Sequence, residues 1–344
     1  MSPSSVPDFD DLPKVEGQPQ GCAWGIFDKD GQKDVLGTLN FLTPPIVAAA
    51  AAEVKDGISV SLNWPLNGIK FPFPFRKSPV HRVKTLREGG MEMEGFDDEL
   101  DFNTQFSSQW DSLCHVTHHT SGLTYNGAKP TKETLDVQST PDNPLPTIDH
   151  WHARGCLVGR GVLIDFQRYI DETTPEGTPP YHPLDGYRIT VADIETIAKR
   201  QGVEFKPGDI LLVRTGYTEM LAAPTAADFA KFAAQTLSGV HGTEETARWI
   251  WNRRISAVAG DAHAFEAIPA VNPDGTAPAN PKSAPLVLHP YLLNHFGMSI
   301  GELWDLKALG EYCKKTGRYS FLLTSAPLNH PGLVASPPNA IAIF

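Results

Sequence analysis

Apolar and polar positions alternate at Ile58–Leu62 (ISVSL), the pattern of a strand with one buried face. Three other segments carry unbroken apolar runs instead: Gly159–Phe166 (GRGVLIDF), Ile210–Gly216 (ILLVRTG) and Ile255–Gly260 (ISAVAG). Such runs predict strands covered on both faces, and the Pro207-Gly208-Asp209 turn sets the start of the second. Between them lie stretches with helical signals. Pro44–Lys55 is rich in Ala with Thr43 ahead of it, and Thr190 with Asp193 forms an acidic version of the capping box, opening a helix that ends at Gly202. Thr243–Arg253 and Glu302–Lys315 also predict helices, Tyr319–Thr324 a strand, and the closing SPPNAIAIF a short strand after a proline pair that no sheet interior accepts. Strand and helix alternate through the second half, which predicts an α/β fold. Residues 1–20, rich in Ser, Pro and Asp, predict an arm laid over the surface, with residues 21–344 as one domain whose compact part begins near Trp24. Pro65–Asn143 has few periodic segments and many turn residues, as expected of site-forming loops or of an arm reaching a partner subunit.

Composition narrows the function classes. Of 344 residues, 41% are hydrophobic, enough for a sizeable core. Lys and Arg number 29 against 40 Asp and Glu, a net charge of -11 that argues against a nucleic-acid partner. The strongly apolar stretch Ile46–Ala52 is far short of the ~20 residues that span a bilayer, so no membrane partner is expected. The first residues lack a basic flank and an apolar run, so no secretory signal is expected. Cys22, Cys114, Cys156 and Cys313 are scattered, as expected of reduced thiols in a cytoplasmic protein.

The densest polar cluster is Gln105-Phe-Ser-Ser-Gln109-Trp-Asp111-Ser-Leu-Cys-His115. In an extended chain Gln105, Ser107, Gln109, Asp111, Leu113 and His115 share one face, while Phe106, Trp110 and Cys114 lie on the other. Plain exposure to water accounts for such a stripe. So does a site wall in which His115 is a general base or acid and Asp111 orients it or holds a cation. His118 and His119 point to opposite faces of regular structure, so at least one is a surface or packing residue, and Asn126-Gly127 signals a turn. His150 and His152 beside Asp149 are only a loose metal-ligand pattern. Gly260–Glu266, with Asp261 and His263, follows a strand end where ligands gather, although Asp261 as a helix cap explains it equally well. Trp110, Trp151 and Tyr125 suit either an aromatic substrate wall or the core. Arg214 suits either a substrate carboxylate or an internal acid such as Asp165. There is no GxxxxGK[ST], HExxH or GxSxG, and Gly159-Arg-Gly161 lacks the rest of a dinucleotide fingerprint, so no nucleotide cofactor is expected.

The blocks SQWDSLCHV, YNG, GRGVLIDF, GDILLVRTG, AVAGD, GELWDL and PLNHPGLVASPPNAIAIF occur in an order that resembles the cyclase family, which includes bacterial kynurenine formamidases and isatin hydrolases. The resemblance runs from about Trp24 to Phe344 and is greatest to the longer fungal members. It implies a swivelling β/β/α fold, with a central barrel-like mixed sheet ringed by helices, and a homodimer or larger homo-oligomer. The family signature, HxGTHxDxPxH, supplies two His and one Asp to a divalent metal and a final His to catalysis. On this chain the signature Asp matches Asp111 and the final His matches His115, while the two metal-binding His fall on Gln105 and Gln109. His289 and Glu302 match the family's later His and Glu ligands, which gives Asp111, His289 and Glu302 as the implied ligand set for zinc or manganese. Amide oxygens are neutral, hard donors that suit zinc less well than imidazole, so the two Gln weaken the zinc expectation; as hydrogen-bonding groups they suit a substrate carbonyl or a water. What the resemblance implies is a hydrolase of a small amide, formamide or lactone, arylformamidase-like and akin to tryptophan catabolism or secondary metabolism. Two alternatives stand beside it: a metal-independent lyase, isomerase or cyclase, and a non-catalytic binder of small molecules.

Overall fold

The computed structural model describes residues 3–70, 76–118, 121–280 and 284–344. Its strands are β1 (Ser59–Ser61), β2 (Val80–Thr85), β3 (Phe96–Asp101), β4 (Gln109–Asp111), β5 (Leu157–Asp165), β6 (Arg188–Ile189), β7 (Ile210–Arg214), β8 (Gly239–Val240), β9 (Ala257–Gly260), β10 (Ile300–Glu302), β11 (Ser320–Ser325), β12 (Ala335–Ser336) and β13 (Ala340–Ile343). Nine of them form one curled mixed sheet in the order β1-β13-β11-β5-β7-β9-β10-β4-β12. The three apolar runs of the sequence become β5, β7 and β9, which lie side by side and parallel at its centre. β10 continues the parallel set, and β4 and β12 close that edge antiparallel. The class is α/β, as the alternation of elements predicts.

Alternate residues of the central strands feed two cores. Leu211 and Val213 of β7 pack with Ile164, Ile250, Trp251 and Phe296 on one face. Ile210 and Leu212 pack with Leu163, Trp110, Trp304 and Phe321 on the other. Helices cover both faces, and their ends are chemically marked. The helix Val191–Gln201 starts with a reciprocal pair: Thr190 Oγ1 accepts from the Asp193 N–H at 3.1 Å, and Asp193 Oδ2 accepts from the Thr190 N–H at 2.8 Å. It ends at Gly202, whose φ of 67° only glycine adopts without strain.

Two boundaries differ from expectation. The helix expected from Glu302 begins at Lys307, and Glu302 instead ends β10. Leu303 takes φ 55°, which breaks any helix there, and pairing with β4 and β9 holds Ile300–Glu302 extended. The Ala-rich helix stops at Ala51. In the amino-terminal segment, Phe9 is fully buried against Tyr291 and Phe296. Asn252 Oδ1 accepts from the Phe9 N–H at 2.7 Å, and Trp251 Nε1 donates to Pro7 O at 3.0 Å. Within Pro65–Asn143, β2 and β3 form a hairpin exposed along almost its whole length. Among the described residues no helix is long and apolar enough to cross a membrane.

Candidate functional site

β4 and β10 build the site through their register. Glu302 stands opposite Gln109, and Gly301 opposite Trp110. Side chains alternate across a strand, so Gln109, Asp111 and Glu302 share one face and Trp110 takes the other. Gln109 Nε2 donates to Glu302 Oε2 at 2.7 Å across the strand pair. Only Gln109–Asp111 of the polar segment is extended; Gln105 comes in from the preceding turn, and His115 from a turn closed by its N–H on Ser112 O. The four still converge. Gln105 Nε2 donates to Asp111 Oδ1 at 2.7 Å and lies 3.1 Å from His115 Nε2. His115 Nε2 is 3.9 Å from Asp111 Oδ2, beyond hydrogen-bond reach, so the Gln105 amide stands between the pair. Asp111 is wholly buried, while the His115 side chain keeps 25% of its surface exposed at the mouth of the cluster.

His289 completes the cluster from the far side, at the residue before the π-helix Pro290–Phe296. Its Nε2 lies 3.2 Å from Glu302 Oε1 and its Nδ1 2.9 Å from Glu266 Oε1. Glu266 also accepts the backbone N–H groups of Val287, Leu288 and His289, which fixes the chain on which His289 rides. Burial pulls the His289 imidazole down, but its bonds to Glu266 and Glu302 outweigh that and raise it to about 10. Burial raises the Asp111 carboxyl to about 6, with His115 opposing and Glu302 adding to the rise.

Asp111, His289 and Glu302 bring one donor atom each to within 4.8 Å of one another. Among the described residues Asp111 Oδ2 is buried with no hydrogen-bond partner, a costly state that a cation would relieve. Two carboxylate oxygens and one imidazole nitrogen, the latter steadied from behind by Glu266, fit a divalent metal. The amide N–H groups of Gln105 and Gln109 point at the carboxylates of Asp111 and Glu302, so these residues orient the two carboxylates.

Other sequence candidates lie elsewhere. Trp110 is fully buried, its ring 4.9 Å from Trp304 and 5.4 Å from Trp151, and its Nε1 donates to Ser325 Oγ at 2.9 Å. Placement on the opposite face of β4 makes it core, not a substrate wall, and Trp151 shares that core. Tyr125 is also core: its hydroxyl donates to Asp34 Oδ2 at 3.1 Å. Arg214 is closed in by Asp165 at 2.8 Å and Glu219 at 2.6 Å, so the internal-acid reading holds over the substrate reading. A Cβ on Gly310 would meet Asp165 Oδ2 at 2.8 Å, so the helix Lys307–Thr316 seals this pair only because position 310 is glycine. His150 and His152 bond the carbonyls of Leu145 and Pro327, and neither joins a group of three candidate ligands among the described residues. His118 stands beside His295; His119 lies outside the described residues. Asp261 does cap a helix, but one distant in sequence: it accepts from the N–H groups of Thr215, Gly216 and Tyr217, ahead of and into Tyr217–Ala222.

Sequence reasoning missed Arg76. Its guanidinium donates to Gln105 O at 2.5 Å and Gln109 Oε1 at 3.3 Å. It sits in a proline-rich stretch with no local motif, so only the fold reveals it. His263, named only within its cluster, bonds Tyr217 OH at 2.8 Å, and burial keeps its imidazole below the ordinary range against the pull of Glu302.

Three comparisons bear on this arrangement. The family model described as "Putative cyclase" matches residues 42–267. A crystal structure described as a novel cyclase superposes with a TM-score of 0.75 at 30% identity, covering 94% of this chain and 99% of that one. Isatin hydrolase A from Labrenzia aggregata, bound to benzyl benzoate, follows at TM-score 0.54 and 17% identity, covering 88% and 98%. Isatin hydrolase A from Ralstonia solanacearum gives 0.50 at 16% identity, also covering 88% and 98%. No curated protein matches the sequence. With the family model spanning most of the chain and a cyclase structure matching at 30% identity over 94% of it, the chain belongs to the cyclase family.

Proposed function

We propose that this protein is a hydrolase of a small amide, formamide or lactone, with His115 as the proton carrier. One observation carries the reading: an imidazole that keeps a quarter of its surface exposed at the mouth of a buried Asp111–Gln105–Gln109–His289–Glu302 cluster. The isatin hydrolases among its structural relatives support a ring-amide or aryl-amide substrate class. A divalent cation at Asp111, His289 and Glu302 would supply Lewis acidity toward a carbonyl oxygen. The chain's own residues do the remaining work. His115 takes a proton from the attacking water as its oxygen bonds the carbonyl carbon, then returns it to the leaving nitrogen or alkoxide as that bond breaks. Gln105 holds His115 and Asp111 in register, and Gln109 holds Glu302. Arg76, bonded to both glutamines, adds fixed positive charge near the developing oxyanion.

The test is a panel of formylated anilines, lactones and cyclic imides turned over in oxygen-18 water. Hydrolysis places one solvent oxygen in the product acid. Conversion without solvent oxygen would replace hydrolysis with lyase, isomerase or cyclase chemistry in the same pocket.

The protein is further proposed to assemble as a homodimer through the β2–β3 hairpin. Cross-strand pairs put Val80, Arg82, Lys84, Asp97, Glu99 and Asp101 on one face, where Lys84 pairs with Glu99. The opposite face carries His81, Val83, Thr85, Phe96, Asp98 and Leu100, with Phe96 76% exposed. A two-stranded hairpin is marginal alone in water. A second copy, which presents the same amphipathic ribbon, closes the pair by symmetry.

A further inference from the structure

The π-helix Pro290–Phe296 has a second chemical side. His289, just before it, faces Glu302, but Pro290, Tyr291 and His295 line a separate cleft of about 390 Å³. Its other walls include Val271, Leu286 and Val287, and His118 stands beside His295 with ring centroids 5.7 Å apart. Neither Asp111 nor His115, Gln105, Gln109, His289 or Glu302 lines it.

His295 is the anomaly. It is 2% exposed, and both ring nitrogens are buried without a hydrogen-bond partner among the described residues. Native proteins rarely leave buried polar atoms unpaired in this way. Among the described residues lining the cleft there is no Asp, Glu, Lys or Arg. Burial, with His118 adding to it, keeps the His295 imidazole neutral at physiological pH, so the ring offers one N–H donor and one bare nitrogen acceptor. The Tyr291 ring meets His295 at 5.3 Å and 77°, which gives the cleft an aromatic wall beside its polar floor.

We propose that this cleft is a second ligand site, for an uncharged aromatic compound whose polar edge both accepts and donates, such as a primary carboxamide or a lactam. Its ring packs against Tyr291 and the aliphatic wall, and its amide bonds one ring nitrogen of His295, donating to the bare nitrogen or accepting from the N–H. A charged ligand is disfavoured because it would be desolvated with no counter-charge in the described lining.

Benzamide is the probe, with benzoate as the charged isostere, followed by the imidazole NMR signals of His295 at pH 7. The expected result is a saturable shift of the His295 signals by benzamide, retained in Asp111→Asn, with benzoate at least tenfold weaker. Two variants remove the site independently: His295→Phe deletes the polar floor, and Leu286→Trp fills the cleft while leaving His295 in place. Both are expected to weaken benzamide binding at least tenfold with circular dichroism unchanged. Three results would overturn the proposal: no His295 shift up to the solubility limit of benzamide, binding lost in Asp111→Asn but kept in His295→Phe and Leu286→Trp, or equal affinity for benzoate.

Discussion

Glu266 grips His289 twice with one oxygen, accepting its backbone N–H and its Nδ1, both at 2.9 Å. That grip fixes which imidazole nitrogen faces Asp111 and Glu302. Outer partners of this kind typically contribute 10–100-fold in metal affinity. Glu266→Gln is therefore expected to weaken Mn²⁺ or Zn²⁺ binding by about 10–100-fold, read by competition against a chromophoric chelator. Unchanged affinity would place the cation elsewhere.

Arg214 gives a prediction about stability. It is sealed with Asp165 and Glu219 under the helix Lys307–Thr316, so removing its charge strands buried carboxylates. Arg214→Met is expected to lose about 3–5 kcal/mol of unfolding free energy in urea titration. KM for any accepted substrate should stay within twofold, whereas a tenfold rise would return Arg214 to the substrate pocket.

His295 gives the acid limb of stability. Its folded-state imidazole is lowered by burial to about 4, with His118 adding to the shift, while an unfolded His titrates near 6.5. On acidification the unfolded chain takes up the proton first. The contribution is therefore fully present above about pH 6.5 and is lost as pH falls toward about 4, by up to roughly 3 kcal/mol. The rings facing it are those of Tyr291 and His118. The slope of urea midpoint against pH between 7 and 4.5 should flatten in His295→Phe, and an unchanged slope would assign the acid limb to other groups.

The parts of this molecule that sequence revealed are those where one local signal settles the structure. The runs in β5, β7 and β9 could only be covered strands, and Thr190 with Asp193 marks a helix start that nothing else contests. The face-sharing of Gln109 with Asp111 followed from strand alternation, which equally put Trp110 on the core side. What stayed hidden depended on pairing between distant segments. Glu302 looked helical because its own neighbours are helix formers, and the register with β4 overrides them. Arg76 and the Glu266 grip on His289 join residues far apart in sequence, and no spacing rule foretells them.

The hairpin supplies a test of assembly. Phe96→Ser with Leu100→Ser removes most of the apolar face without touching the charged one. Light scattering is expected to show a dimer for the unmodified protein and a monomer, or at least a tenfold weaker dimer, for the double variant. A monomer in both would leave the hairpin with another partner.

The central claim is that His115 moves the proton, and the direct measurement is kcat/KM of His115→Ala on the best substrate of the oxygen-18 panel, with and without added imidazole. A general base or acid typically contributes 10²–10⁴-fold, so a loss of that size with partial recovery in imidazole is expected. Turnover equal to that of the unmodified enzyme would contradict the account and leave His115 outside the reaction.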